Sequence, residues 1–441
     1  MKRRNFLQLA GATAAATGLT LGLSGRSLNA QAEAFAGPFW VQVNAGGAWD
    51  PTLLFNPVAD VLQSRKYTEI GTVGNISYAN VPLDPMELGL DPTKGYEASL
   101  MSNAAFVTKY GAALSVINGI DTSTNNHDAG SRAMWSGRLA EGYPSVGALV
   151  AGAKGNGSPM AYLSAGGYDA TAALVPLTRV SGADAMKKLA LVNKVDPNNA
   201  MSMDAYHSAG TINRIRAAQG ARLQALHDEQ FLPRLQGSMN DLMAARARDG
   251  ELSALQIPDK LVEVPGLGDL QRMMQQAQLA VAAFKAGVAV SANLNLGGFD
   301  THANHDRNQP LQLSKLLFGI DYLMTLAQTE LGGNLIMVAA SDFGRGPFYN
   351  GDGAGAGKDH WPVTSVFAMG PGIAGNRVIG GTTADQRARL VDPGSLAVVD
   401  GVDGTDGVKI RPEHVHHALR RLAGVDESQF PLPGDALALF G

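Results

Sequence analysis

The sequence predicts an α/β fold: a mostly parallel sheet with helices on both faces and a helical insertion. Short apolar segments recur without clean polar alternation, as strands buried on both faces of a parallel sheet do. Helical periodicity fills the gaps between the later segments, and one long charged stretch carries helical pattern and no strand. Strand, helix, strand order is what builds a doubly wound sheet.

In chain order, the first segment is a leader rather than part of the fold. Arg3 and Arg4 precede Phe6 and Leu7, a weakly apolar Ala/Gly/Thr/Leu stretch follows, and Ala30-Gln31-Ala32 has the small-x-small form of a peptidase site. This predicts a twin-arginine export signal over residues 1–32, with the mature α/β domain at 33–441. The leader is too short and too rich in Gly and Thr to span a bilayer comfortably, and no other apolar run is long enough. A soluble periplasmic or extracellular protein, exported folded by the twin-arginine translocase, is expected. Removing the leader's Lys2, Arg3, Arg4 and Arg26 takes Lys plus Arg from 35 to 31 against 39 acids, a net charge near −8. That excess argues against a nucleic-acid partner or an anionic membrane surface. With no cysteine, disulfides, thiolate chemistry and Cys-ligated metals are excluded.

Strands are expected in "PFWVQVNAGG" (38–47), "AALSVINGID" (112–121), "AGVAVSANLNLGG" (286–298), "NLIMVAASDFG" (334–344) and "TSVFAMGPG" (364–372). Helices are expected at 269–287 and 309–333, the latter stopped by Gly332 and Gly333, and over "RPEHVHHALRRLAG" at the end, closed by Gly424. Residues 180–266 read as the helical insertion.

Ligands of open α/β sheets bind at the carboxyl ends of strands. Chemistry-bearing residues stand at those positions: Asp50 after the first strand, His127 and Asp128 after the second, Asp300, His302, His305 and Asp306 after the third, Asp342 after the fourth, and Asp359 and His360 just before the fifth. Singly, each has a plain reading as a turn former or helix cap. Their recurrence at one sheet edge points to a metal centre, and mixed carboxylates and imidazoles favour Zn²⁺ or Mn²⁺ over Mg²⁺ or Ca²⁺. Two such ions about 4 Å apart would clamp both oxygens of a phosphoryl or sulfuryl ester displacement. Thr122, Ser123, Thr124 and Ser131 are candidate hydroxyl nucleophiles, with Thr124 preferred, and Arg132 and Arg345 are candidate anion clamps. His207 and His227 in the insertion, and His414, His416 and His417 on the last helix, are left outside the site.

The leader, "GGAWDP", "NNHDAGSRAMWSGRL", "GGFDTHANH", "SDFGR" and "GKDHWPVTSVFAMGPGIAGNRVIGGTT", in this order, resemble the domain of unknown function 1501 family, which is similar in architecture to the alkaline-phosphatase and sulfatase superfamily. The resemblance implies an alkaline-phosphatase-like fold, with Asp50 on one metal, Asp300 with His302 or His305 on the other, and Asp342 and His360 completing the set. Two departures stand out: Phe343 occupies a position where alkaline phosphatases usually place a histidine, and His127 stands where the nucleophile would be, as ligand or general acid/base. Without cysteine, a cysteine-derived formylglycine is excluded. The expected function is an exported metal-dependent hydrolase of a small-molecule or polymer phosphate or sulfate ester. The other reading is a non-catalytic binding or assembly protein of the cell envelope.

Overall fold

The computed structural model describes residues 35–441 except 60–64, 156, 181, 200, 248–251, 253, 259 and 427. The export signal expected over 1–32 lies outside the described residues.

The strands are β1 (Phe39–Ala45), β2 (Ile70–Val73), β3 (Ile76–Ala79), β4 (Ser115–Asp121), β5 (Tyr162–Ser164), β6 (Leu177–Arg179), β7 (Ser291–Leu296), β8 (Leu335–Ser341), β9 (Gly344–Tyr349), β10 (Lys358–Trp361), β11 (Val363–Met369) and β12 (Arg377–Gly380). The helices used below are α1 (Asn103–Tyr110), α2 (His127–Ser136), α3 (Val146–Lys154), α4 (Ala183–Ala190), α5 (Ala209–Asp228), α6 (Pro233–Ala247), α7 (Gly268–Lys285), α8 (His305–Leu331) and α9 (Pro412–Ala423).

An eight-stranded sheet in the order β12-β4-β11-β8-β1-β7-β5-β6 forms the centre. All five expected segments are strands of it, and β1, β8 and β11 are buried along their whole length. That burial explains why their sequences do not alternate: both faces are covered. Val41, Val43, Met337, Ala339 and Phe367 join one core with residues of α7 and α8, while Trp40, Ile336, Val338, Val366 and Ala368 join another with residues of α2, α3 and α9.

The sheet is parallel except for β11, which runs antiparallel to both its neighbours, β4 and β8. The start of β11 therefore lies at the edge where β1, β4, β7 and β8 end. This is why a cluster that precedes its strand in sequence, Asp359 and His360, joins clusters that follow theirs.

Helix α8 begins at His305, one turn before the sequence suggests, after Asn304 in the left-handed conformation, and it ends at Gly332 as expected. The earlier start puts His305 and Gln309 four residues apart on one helical face, both buried. Between β6 and α7 lie α4, α5 and α6; no residue of α5 is buried.

On α9, His414, His416 and His417 are buried, each in its own contacts, rather than gathered at a site. His416 Nε2 donates to the Met134 carbonyl at 2.9 Å, and the Arg411 amide donates to His414 Nδ1 at 3.0 Å, closing the start of the helix. Burial pushes His416 down from the ordinary 6.5 to about 3 and His414 to about 4. The unfolded chain thus takes up protons the folded one refuses. The stability they contribute is complete above pH 6.5 and is lost as pH falls toward 4 and then 3, at up to about 1.4 kcal/mol per pH unit for each ring. Denaturant unfolding between pH 7 and pH 5 should show this decline. His416→Gln, which keeps a donor without titrating, should decline less steeply.

Candidate metal centre

The loop leaving β1 turns sharply at Gly47, whose φ is +116° and whose Cβ, if present, would lie 2.5 Å from the Asp300 amide nitrogen. Only glycine allows the post-β1 and post-β7 loops to approach this closely. Gly357 is equally constrained, since a Cβ there would meet the His302 carbonyl carbon at 2.0 Å. These contacts press the loops after β1 and β7 and the segment entering β10 together.

Two polar clusters result. In the first, Asp50 is fully buried at the start of a 3₁₀ turn, Pro51–Leu53. Its Oδ1 accepts from the Thr52 amide at 3.0 Å and the Thr52 hydroxyl at 2.6 Å. Its Oδ2 accepts from Lys358 Nζ at 2.8 Å and His305 Nε2 at 3.1 Å. His305 Nδ1 faces the Thr301 hydroxyl at 2.9 Å. Gln309 seals the cluster, donating to the carbonyls of Ala48 and Phe299 and accepting from the Asp50 amide. Burial works against the Asp50 charge, but the Lys358 ammonium and the His305 hydrogen bond outweigh it and hold the carboxyl well below the usual carboxylate range. Burial pushes His305 down, against the pull of Asp50.

The second cluster is open. His127, the first residue of α2, Asp300 and His360 each offer a ligand atom within 4.8 Å of the others. His302 Nε2 lies 3.2 Å and His360 Nε2 3.3 Å from Asp300 Oδ1, the two nitrogens are 2.9 Å apart, and His127 Nε2 is 3.7 Å from Asp300 Oδ2. The Asp300 side chain is 49% exposed and that of His302 47%.

The opposite nitrogen of each ring is held from behind. His127 Nδ1 meets Asp342 Oδ2, His302 Nδ1 meets Asp359 Oδ1 at 3.2 Å, and His360 Nδ1 meets the Asn125 carbonyl at 2.8 Å. Carboxylates and carbonyls only accept, so these partners place the proton of each ring on Nδ1 and turn a bare Nε2 lone pair toward Asp300. Three imidazole nitrogens and a carboxylate then face one another, a crowding that a cation among them or a proton on one ring relieves. Two imidazole nitrogens and a carboxylate oxygen, from His127, His360 and Asp300, lie close enough together to share one ion, with His302 Nε2 beside them, and such mixed donors suit Zn²⁺ or Mn²⁺.

The sequence-predicted residues divide accordingly. Asp300, His302 and His360 meet, and His127 joins them as a ligand-type imidazole; its pKa is raised, first by the hydrogen bond to Asp342. Asp342 stands behind His127, not among the facing donors: its Oδ1 accepts from the Ala48 amide at 2.6 Å and the Ser341 hydroxyl at 2.8 Å. Asp50 and His305 are spent on Lys358, Thr52 and Thr301, in the closed cluster. Thr124 caps a turn, its hydroxyl accepting from the Asn126 amide at 3.2 Å. Arg132 donates to the Leu139 carbonyl.

Arg345 is not an open anion clamp. It is fully buried, with Nε on the Ala48 carbonyl at 3.0 Å, Nη1 on the Lys358 carbonyl at 2.9 Å, and Nη2 shared between the Gly47 carbonyl and Asp300 Oδ1. Burial opposes the Asp300 charge, and the Arg345 guanidinium more than offsets it, so this carboxyl titrates below its ordinary value. Phe343, the first of the two departures from the alkaline-phosphatase pattern, lies wholly buried with its ring 4.6 Å from that of His360 and 4.9 Å from that of His127, an apolar floor under both. Sequence reasoning missed Lys358, although it adjoins the quoted Asp359-His360 pair. Gln309 and Thr301 carried no signal beyond their nearness to His305.

The sequence model of a family described as "Protein of unknown function (DUF1501)" matches residues 57–397. No curated protein matches the chain. Among solved structures, the chain is similar to a 2-O GAG sulfatase at 13% identity, covering 91% of this chain and 73% of that one with a TM-score of 0.35. It is also similar to the alkaline phosphatase from the Antarctic bacterium TAB5, at 9% identity, covering 88% of this chain and 98% of that one with a TM-score of 0.32.

Arg345→Lys should cost about 3 kcal/mol or more of unfolding free energy in a denaturant titration, because a single ammonium cannot reach acceptors on three segments and leaves buried carbonyls unmet.

Proposed function

We propose that this chain, which belongs to the domain of unknown function 1501 family, is a metal-dependent hydrolase of phosphate or sulfate esters, exported by the twin-arginine route and working in the periplasm or outside the cell. The observation that carries this reading is the convergence of His127, His302 and His360 Nε2 on the Asp300 carboxylate, with each Nδ1 tied to an acceptor. Zn²⁺ or Mn²⁺ suits these donors, and when bound such an ion supplies a Lewis acid for an ester oxygen. Asp300, His127 and His360 would hold it, with His302 beside them. Asp342, Asp359 and the Asn125 carbonyl fix the tautomers, and Arg345 fixes the carboxylate. Phe343 keeps water from beneath the rings. The open rim, with Asp300 and His302 half exposed, admits an ester carried on a larger molecule as well as a small one. A leader that exports folded protein accords with a centre loaded before export. Among the described residues, no helix is long and apolar enough to cross a membrane.

The second reading, a cell-envelope binding or assembly protein, draws support from the helical region: α5 buries none of its residues, and Phe231, between α5 and α6, is 90% exposed.

Elemental mass spectrometry on mature protein should find stoichiometric Zn or Mn, lost in Asp300→Ala and His360→Ala, with hydrolysis of an aryl phosphate or aryl sulfate lost in parallel. A folded, metal-free wild type would end this reading in favour of the second. Asp342→Asn, which leaves the facing donors in place, should weaken metal affinity about 10- to 100-fold by releasing the His127 tautomer.

A further inference from the structure

We infer that the centre takes one divalent ion, not two, because the Lys358 side chain occupies the place beside Asp50 and His305 that a second ion would take. This rests on the metal-dependent reading above. Asp50 and His305 are a carboxylate and an imidazole in contact at the carboxyl edge, outside the open cluster, and by residue type they would make a second site. Every position on them is already filled. Asp50 Oδ1 carries the Thr52 amide and hydroxyl, Oδ2 carries Lys358 Nζ and His305 Nε2, and His305 Nδ1 carries the Thr301 hydroxyl.

Lys358 and Asp50 are both wholly buried and His305 is 1% exposed, so an ion has neither an open coordination position nor a way in. The charges lead to the same conclusion. One ammonium against one carboxylate at 2.8 Å is balanced, and a divalent ion brought to the same oxygen would stand against the ammonium with no further carboxylate to offset it. Of the other charged groups nearby, Asp306 is taken by the Tyr349 hydroxyl and by Arg65 at 3.1 Å, Asp300 by Arg345 and the open cluster, and Asp342 by the Ala48 amide, the Ser341 hydroxyl and His127.

Lys358 and His360 lie two residues apart on β10. The same strand thus brings a fixed cation to one cluster and a metal ligand to the other. The hydrolase works with a single exchangeable cation beside a built-in one that no chelator removes.

The test is a titration of chelator-stripped, full-length mature protein with zinc chloride, read by native mass spectrometry and by thermal melting. One equivalent is expected for the wild type and for Asp50→Asn, whose changed residue is no ligand. Lys358→Ala should melt lower without zinc, take up a second equivalent, and regain more melting temperature on zinc addition than the wild type does. Lys358→Arg should remain at one. Two equivalents in the wild type, or loss of the single one in Asp50→Asn, would overturn the inference while leaving a metal centre standing. No zinc at all would overturn the metal-dependent reading and the one-ion count with it. Should Lys358→Ala fail to fold, the wild-type and Asp50→Asn counts decide the matter.

Discussion

The buried guanidinium of Arg345 is the joint on which the candidate centre depends. From β9 it reaches the Gly47 and Ala48 carbonyls after β1, the Lys358 carbonyl on β10, and the Asp300 carboxylate after β7. Two loops and the two strands of the β9–β10 hairpin are thereby fixed in mutual position at one edge of the sheet. A planar fork with five donors can do this, whereas a point charge on a flexible stem cannot. Asp300 can be half exposed and still fixed in orientation because one of its oxygens is held from the buried side.

Around that joint, the edge sorts its charges by access to water. Asp50 lies where no water reaches, and a carboxylate there persists only with a cation and full hydrogen bonding, which Lys358, His305 and Thr52 provide. Asp300 lies at the rim, where solvent or an exchangeable ion can share the load. Asp342 stands between the two, tied to the post-β1 amides on one side and to His127 on the other, and so couples the closed cluster's loop to the open cluster's ligand. Residues of the same chemical type therefore do different work: one carboxylate balances a lysine, one orients a histidine, and one faces the open site.

The antiparallel strand β11 makes the gathering possible. In a wholly parallel sheet the segment before a strand lies at the opposite edge from the segments after its neighbours, and His360 and Lys358 would be a strand's length from Asp300 and Asp50. Reversal of this one strand brings them in, and the β9–β10 hairpin that precedes it carries Arg345 on one arm and Lys358 and His360 on the other.

The sequence by itself determined the fold class and five of the eight strands of the central sheet, because burial on both faces leaves segments rich in apolar residues without clean alternation, and it marked Asp300, His302 and His360 because few other residue types serve as ligands. It also marked His127, without settling what the ring does. Tertiary structure alone decided that Asp50 and His305 face a lysine, that Asp342 supports a histidine, and that Arg345 points inward. Those assignments rest on which atoms come within about 3 Å of one another across separations of more than two hundred residues, as between His305 and Asp50 or Lys358 and Asp50. A residue's type limits what it can bond, but the direction of β11, the close passage at Gly47 and the early start of α8 select the partner, and none of these is written at the position of the residue itself.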